Sequence, residues 1–390
     1  MKYRFKRSKF VLGAVCMAVM VVAVAVFTAC YAAVSEKENS EAQGRESVAA
    51  KELTLDEKAD AILKAMSNEE KIGQMVMMGI HGEDVTDDSL FMLHQYHIGG
   101  VILFDRNMSS REQVANLNAH LQEQAGEKVP LLIAVDEEGG RVARMQEALP
   151  PPPAQSYIGS LGEPKEAYNS ACNIANELKA MGFNVNFAPV ADVGAGDRNF
   201  SDNPAVAAAF VQEAADGYQA AGMICSLKHF PGLGRGESDT HKDAVVVNAD
   251  FATISNNDML PFKNVIANGS LNNYMVMVSH ITYPLFAGNM PASVSPVIMK
   301  DILRSQLGYQ GVIITDDLEM GAIANYYGFR RVGVEAVKAG ADMVLVCHEY
   351  QHEADVYLGI LEAVQNGEIS QADIDASVRR ILKLKLQNIK

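Results

Sequence analysis

The chain has 390 residues, 48% of them apolar and 21% charged, which is enough to bury the core of one large domain or two ordinary ones. Its net charge is −15, and setting aside the five basic side chains of the first ten residues (Lys2, Arg4, Lys6, Arg7 and Lys9) reduces the 33 basic residues to 28, against 48 acidic ones. A body this acidic argues against nucleic acid and anionic membrane surfaces as ligands, and Cys172, Cys225 and Cys347 are too scattered for a disulfide framework or a zinc-type spacing.

After the basic head, Val11 to Ser35 carries no charge. A basic head followed by an apolar run is an export signal or a membrane anchor, and Val11 to Ala29 is long enough to span a bilayer. Phe27-Thr28-Ala29-Cys30 resembles the lipobox of bacterial lipoproteins, which implies a lipidated Cys30 at the head of the mature chain. A cleaved signal and an uncleaved anchor are the other two readings, and all three place the body outside the cytoplasm. Residues 1–30 are thus set apart as a targeting segment. Residues 31–52, polar and poor in aromatics, read as a flexible tether.

From residue 53 onward, short apolar runs alternate with longer amphipathic stretches. The runs 74–80, 99–104, 130–136, 184–190, 223–229, 274–280, 311–317 and 342–347 are expected strands. Segments 110–124, 163–181, 203–221, 255–268, 296–306, 330–339, 351–366 and 370–388 are expected helices. Eight strands separated by helices predict a (β/α)8 TIM-type barrel, one α/β domain over 53–390. Polar side chains gather just past the strands, at Asp105-Arg106-Asn107, Asp136-Glu137-Glu138, Asp192, Lys228-His229, His280 and Asp316-Asp317. In a barrel those ends share one rim, where loops build an active site.

Four constellations lie along that rim. VDEEGGRVAR (135–144) ends a strand in three carboxylates, and Asp136 with Arg141 or Arg144 brought back over the pocket has the makings of a sugar-hydroxyl clamp or of a surface ion pair. In GDRNFSDNP (196–204), Arg198 is a ligand clamp or a loop staple. KHFPGLGRGESDTH (228–241) sets Lys228 and His229 at a strand end. After a glycine-rich stretch that reads as a hinge, Asp239 and His241 follow two residues apart, the wiring of an acid/base histidine. GVIITDDLEM (311–320) delivers Asp316 to the rim on a rigid strand, as a carboxylate nucleophile requires, with Asp317 turned to cap the next helix near Leu318. His280 is a weaker candidate. His81, His94, His97 and His120 lack a partner pattern and read as structural, and the 19 methionines read as core filling.

In this order the four motifs resemble the bacterial β-N-acetylglucosaminidases of glycoside hydrolase family 3, over roughly residues 55–385. The resemblance implies a retaining exo-hydrolase of terminal β-linked N-acetylglucosamine in muropeptides or related oligosaccharides. It implies Asp316 as nucleophile, His241 with Asp239 as general acid/base, and Asp136, Arg144, Arg198, Lys228 and His229 as sugar-binding residues. No cofactor and no metal are expected, and membrane contact is confined to the amino-terminal segment. Leu233 departs from the polar residue common in that turn, and the additional carboxyl-terminal domain of some relatives is not expected. Transfer to phosphate, a non-catalytic surface lipoprotein that binds sugar, and a metal hydrolase built on His229, Asp239, His241 and Asp316 are the alternatives.

Overall fold

The structure is a computed structural model that describes residues 17–37, 53–125, 129–236, 242–269 and 272–389. The chain divides into two units, residues 1–54 and 55–390. In the first, a helix Met17–Lys37 is long and apolar enough to cross a membrane. It carries Cys30, exposed and unpaired, and runs on through residues 31–37, which the sequence places in the tether.

The second unit contains a closed eight-stranded parallel barrel. Its strands are β1 (Val76–Gly79), β2 (Gly100–Leu103), β3 (Leu132–Val135), β4 (Val185–Asn186), β5 (Ile224–Phe230), β6 (Tyr274–Val278), β7 (Val312–Asp317) and β8 (Met343–Val346). Each pairs with its neighbours in chain order, and β8 closes on β1 through Val344 opposite Val76. Seven of these strands are buried throughout, as continuous apolar runs covered on both faces must be. The exception is β7, where Asp316 opens partly to solvent.

All eight expected strands are present, but β4 is far shorter than the run 184–190. Beyond Asn186 the ladder gives way to scattered bonds, Phe187 to Val135, Ser226 to Ala188 and a bridge from Val190 to Lys228, and Pro189 has no amide hydrogen to donate. The helices between strands start where the sequence supplies caps. Asn203 accepts the amides of Ala205 and Val206, with Pro204 at the first helical position. The stretch expected as one helix over 255–268 divides into Phe251–Asn256 and Leu260–Asn268, and 297–306 is wound as a π-helix. Helices Leu55–Ala65, Asn68–Gln74 and Asp87–Gln95 are additions to the expected set.

The amino-terminal end of the barrel is closed by polar staples. Buried Lys385 donates to the Gln74 side chain at 2.6 Å and to the Gly99 carbonyl at 2.7 Å. Burial without a carboxylate partner pushes its pKa down to about 7. Asp342 is held by Arg304 and Arg380 and accepts the Ile313 amide. The opposite, carboxyl-terminal end is left for chemistry.

Candidate active site

The rim is organised around a buried chain of charges running from β3 to β5. Lys228 Nζ donates to Asp136 Oδ1 at 2.5 Å and lies 2.6 Å from Glu138 Oε1. Arg198 binds the same Glu138 in a two-pronged pair, Nε to Oε2 at 2.9 Å and Nη2 to Oε1 at 2.7 Å. Burial raises the carboxyl of Glu138, but Lys228 and Arg198 outweigh it and draw the pKa down to about 2. The same balance acts on Lys228. Burial opposes its charge, Asp136 and Glu138 overcome that opposition, and its pKa ends above the usual lysine value.

Thus Lys228 and Arg198, expected separately, meet on one carboxylate that the sequence did not single out, and Asp136 joins them through Lys228. A signal for it existed, since residues two apart on an extended strand share a face. Asp136 and Glu138 therefore point together, while Glu137 points away. Glu137 accepts the amides of Arg144 and Met145 and holds the hairpin formed by Glu137–Gly139 and Val142–Ala143. Its burial pushes its carboxyl up to about 7. Gly139 and Gly140 make the turn of that hairpin at φ 97° and 61°, a conformation that favours glycine. Arg141 pairs with Asp197 at the surface. Arg144 turns toward Phe104, with its guanidinium 5.7 Å from the ring centre and its Nε buried and unpartnered.

Lys228 and His229 lie inside β5, which extends to Phe230 and changes register between Leu227 and Phe230. The peptide bonds Lys228–His229 and Phe230–Pro231 are cis. His229 is buried against Asp192, with Nδ1 2.7 Å from Oδ2 and its own amide donating to Oδ1 at 3.1 Å. The Leu233 amide donates to that same Oδ1 at 2.6 Å. Asp192 is therefore the keystone that joins β5 to the start of its loop, a role that residues 37 apart in sequence do not advertise.

Asp239 and His241 fall outside the described residues. The segment before them is tightly held: Tyr283 donates to the Gly232 carbonyl, Arg235 pairs with Asp258, and the Gly236 amide donates to Leu233. A Cβ on Gly234 would lie 1.7 Å from the Val193 carbonyl oxygen, so this glycine serves close packing.

Asp316 sits within β7, at the place where the register against β8 is irregular, between Ile314 and Asp317. Among the described residues its carboxylate makes one hydrogen bond, Oδ1 accepting the Asp317 amide at 2.9 Å. Burial raises this carboxyl, but His229, His280, that amide and Lys228 together hold it below the ordinary aspartate value. Asp317 does not cap a helix near Leu318, because the next helix starts only at Gly321. Instead it accepts the Glu319 amide at 3.1 Å and faces His348 Nε2 at 3.3 Å. His280, buried at the end of β6, lies with Nδ1 2.7 Å from Ser293 Oγ and Nε2 2.7 Å from the Asp317 carbonyl.

Of the four residues considered as metal ligands, His229 and Asp316 are described, and the Nδ1 of His229 is committed to Asp192. Among the described residues the donor set that converges is Asp317, Glu319 and His348, with ligand atoms within 4.8 Å of one another. Those atoms already satisfy each other and the chain, since Glu319 Oε2 accepts the amides of Cys347 and His348. His81 bonds the His348 carbonyl, and His120 faces Asp84.

A closed parallel barrel whose carboxyl-terminal rim gathers an ionised carboxylate, a buried lysine and an arginine–glutamate pair has the architecture of a glycoside hydrolase. Residues 67–384 match the model of the glycosyl hydrolase family 3 N terminal domain, and the chain belongs to that family. It is 39% identical over 285 residues to a beta-hexosaminidase of Xylella fastidiosa, covering 70% of this chain and 83% of the relative. A beta-hexosaminidase of Stenotrophomonas maltophilia is 37% identical over 310 residues, covering 76% and 89% respectively. Among solved structures, a family 3 beta-N-acetylglucosaminidase from Paenibacillus sp. str. FPU-7 superposes with a TM-score of 0.80 at 37% identity, over 83% of this chain and 63% of that one. A family 3 glycosyl hydrolase from Mycobacterium smegmatis superposes with a TM-score of 0.75 at 29% identity, over 83% and 98%.

Proposed function

We propose that this glycoside hydrolase is a retaining exo-β-N-acetylglucosaminidase acting on terminal β-linked N-acetylglucosamine in peptidoglycan-derived fragments. The observation that carries the reading is the state of Asp316: ionised, fixed on a strand, with one carboxylate oxygen uncommitted among the described residues, at the rim that holds Asp136, Lys228, Arg198 and His229. The names of the curated relatives support the sugar.

In the first step the free oxygen of Asp316 bonds to the anomeric carbon while the glycosidic C–O bond breaks. His241, oriented by Asp239, gives its proton to the departing oxygen. In the second step His241 takes a proton from water, the water oxygen bonds to the anomeric carbon, and Asp316 leaves, so that two inversions give net retention. Asp136 has acceptor capacity left beyond Lys228, and with Arg144, Arg198, Lys228 and His229 it holds the sugar hydroxyls so that the anomeric carbon meets Asp316. The His229–Asp192 pair is buried and already engaged on one ring nitrogen, which suits it to holding the sugar and leaves proton transfer to His241.

The test is Asp316→Ala with an aryl β-N-acetylglucosaminide. Turnover falls by about 10⁴-fold or more with the fold intact, and a variant that keeps most of its rate removes Asp316 as nucleophile. His241→Ala hurts poor leaving groups far more than activated aryl ones; equal losses make His241 positional. Running the wild type with and without phosphate separates hydrolysis from transfer, and muropeptide products identify the aglycone. The chain is exported and lipidated at Cys30 in this reading. Mass spectrometry of the protein from the membrane fraction then finds an acylated Cys30 as the first residue, and an unmodified Cys30 within an intact helix Met17–Lys37 assigns the anchor to that helix instead.

A further inference from the structure

Strand β7 loses its regular pairing with β8 where the proposed nucleophile sits, so the sheet on that side does not by itself fix the direction of Asp316. On the other side β6 and β7 stay in register to Val278 opposite Thr315. Continuing that register two residues sets His280 opposite Asp317, and there a side chain takes over from the ladder. The His280 ring reaches the Asp317 carbonyl at 2.7 Å.

The proton positions follow from the partners. A carbonyl only accepts, so Nε2 carries a hydrogen and donates it. Burial disfavours the charged ring and holds the His280 pKa below the ordinary histidine value, so Nδ1 is bare and accepts the Ser293 hydroxyl at 2.7 Å. Ser293 is itself fixed, its amide donating to the Ser279 carbonyl at 2.9 Å. Immediately after Asp317, the Leu318 amide donates to Leu345 at 2.9 Å. The Asp317–Leu318 peptide is thereby clamped at its carbonyl by His280 and at its amide by β8, one residue past the Asp317 amide that holds Asp316 Oδ1.

We infer that His280, locked in one tautomer by Ser293, is a positioning residue that aims the Asp316 carboxylate by fixing the Asp317 peptide. The inference rests on Asp316 being the nucleophile. His280 touches neither sugar nor reacting atoms in this scheme; it carries the β6 side of the contact past the last ladder pair, Val278 opposite Thr315.

The experiment measures covalent labelling by a 5-fluoro-N-acetylglucosaminyl fluoride, in which the Asp316 oxygen bonds to the anomeric carbon as fluoride departs. Wild type, His280→Leu, His280→Gln and Ser293→Ala are compared by intact mass and peptide mapping. The saturating labelling rate of His280→Leu falls by about 10²-fold, while the half-saturating probe concentration stays within about twofold, as a misaimed but still occupied site requires. His280→Gln, whose amide reaches the same carbonyl, recovers most of the rate, and Ser293→Ala falls between them. A folded His280→Leu that labels at the wild-type saturating rate, or that changes only the half-saturating concentration, overturns the inference. If that variant does not fold, a wild-type rate for Ser293→Ala overturns it instead. A label mapping to a residue other than Asp316 refutes the nucleophile assignment, whatever the rates show.

Discussion

Replacing Glu138 by glutamine probes the charge chain at its centre. The side chain is 2% exposed and serves both Lys228 and Arg198. Glutamine preserves its shape but leaves Arg198 without a carboxylate and Lys228 with Asp136 alone. In the fold the carboxyl is drawn from 4.5 to about 2, and at about 1.4 kcal/mol per pKa unit its ionised form is favoured by about 3 kcal/mol. That agrees with the cost of about 3–5 kcal/mol for removing one member of a buried ion pair. For a domain of this size the unfolding midpoint drops by roughly 5 °C. Because the folded pKa is depressed, the contribution is complete above the unfolded value near 4.5 and is lost as pH falls toward about 2. Calorimetry of wild type and Glu138→Gln therefore shows a constant gap from pH 8 to 5 that narrows at lower pH. A gap below about 1 °C at pH 7, or one that widens on acidification, refutes the reasoning.

Asp192→Asn removes the charge that orients His229 and weakens the tie to the Leu233 amide. With the midpoint of unfolding little changed, kcat/KM on an aryl substrate falls by about 10²-fold, and steady-state kinetics checks it. Glu353 lies buried with both oxygens short of a partner apart from a looser approach of the Gly79 amide, and burial raises its carboxyl to about 9. Between pH 4.5 and 9 the unfolded chain sheds this proton while the folded chain keeps it, so the residue costs increasing stability as pH rises. Glu353→Gln therefore gains on wild type in thermal midpoint from pH 5 to 8, and a flat difference across that range contradicts the assignment.

The barrel was legible because its strands are buried on both faces and read as uninterrupted apolar runs between helical stretches. The shortness of β4 was partly legible in Pro189, which a run read for hydropathy alone passes over. At the site, strand-end positions were readable one motif at a time, but pairings were not. Nothing in GDRNF announces that Arg198 binds Glu138 across 60 residues, or that Asp192 belongs to His229. Asp317 was read locally as a helix cap. The cap is not used because the chain makes a turn first and the helix begins only at Gly321. His280 was readable as a polar group past a strand, and its role emerged only with the register that sets it opposite Asp317.

The staples at the amino-terminal end of the barrel also govern the order in which the fold can be completed. Lys385 reaches Gln74 across 311 residues of sequence, and Arg379 reaches Asp60 across 319, while β8 supplies the seam for β1. A ring closed by a segment this far downstream stays open until that segment is made, with its first strand lacking one neighbour until then. A ribosome-bound chain is consequently held short of its cooperative native state for most of its elongation. Docking of residues 371–388 is therefore the step that completes the closure and with it the resistance of the barrel to unfolding.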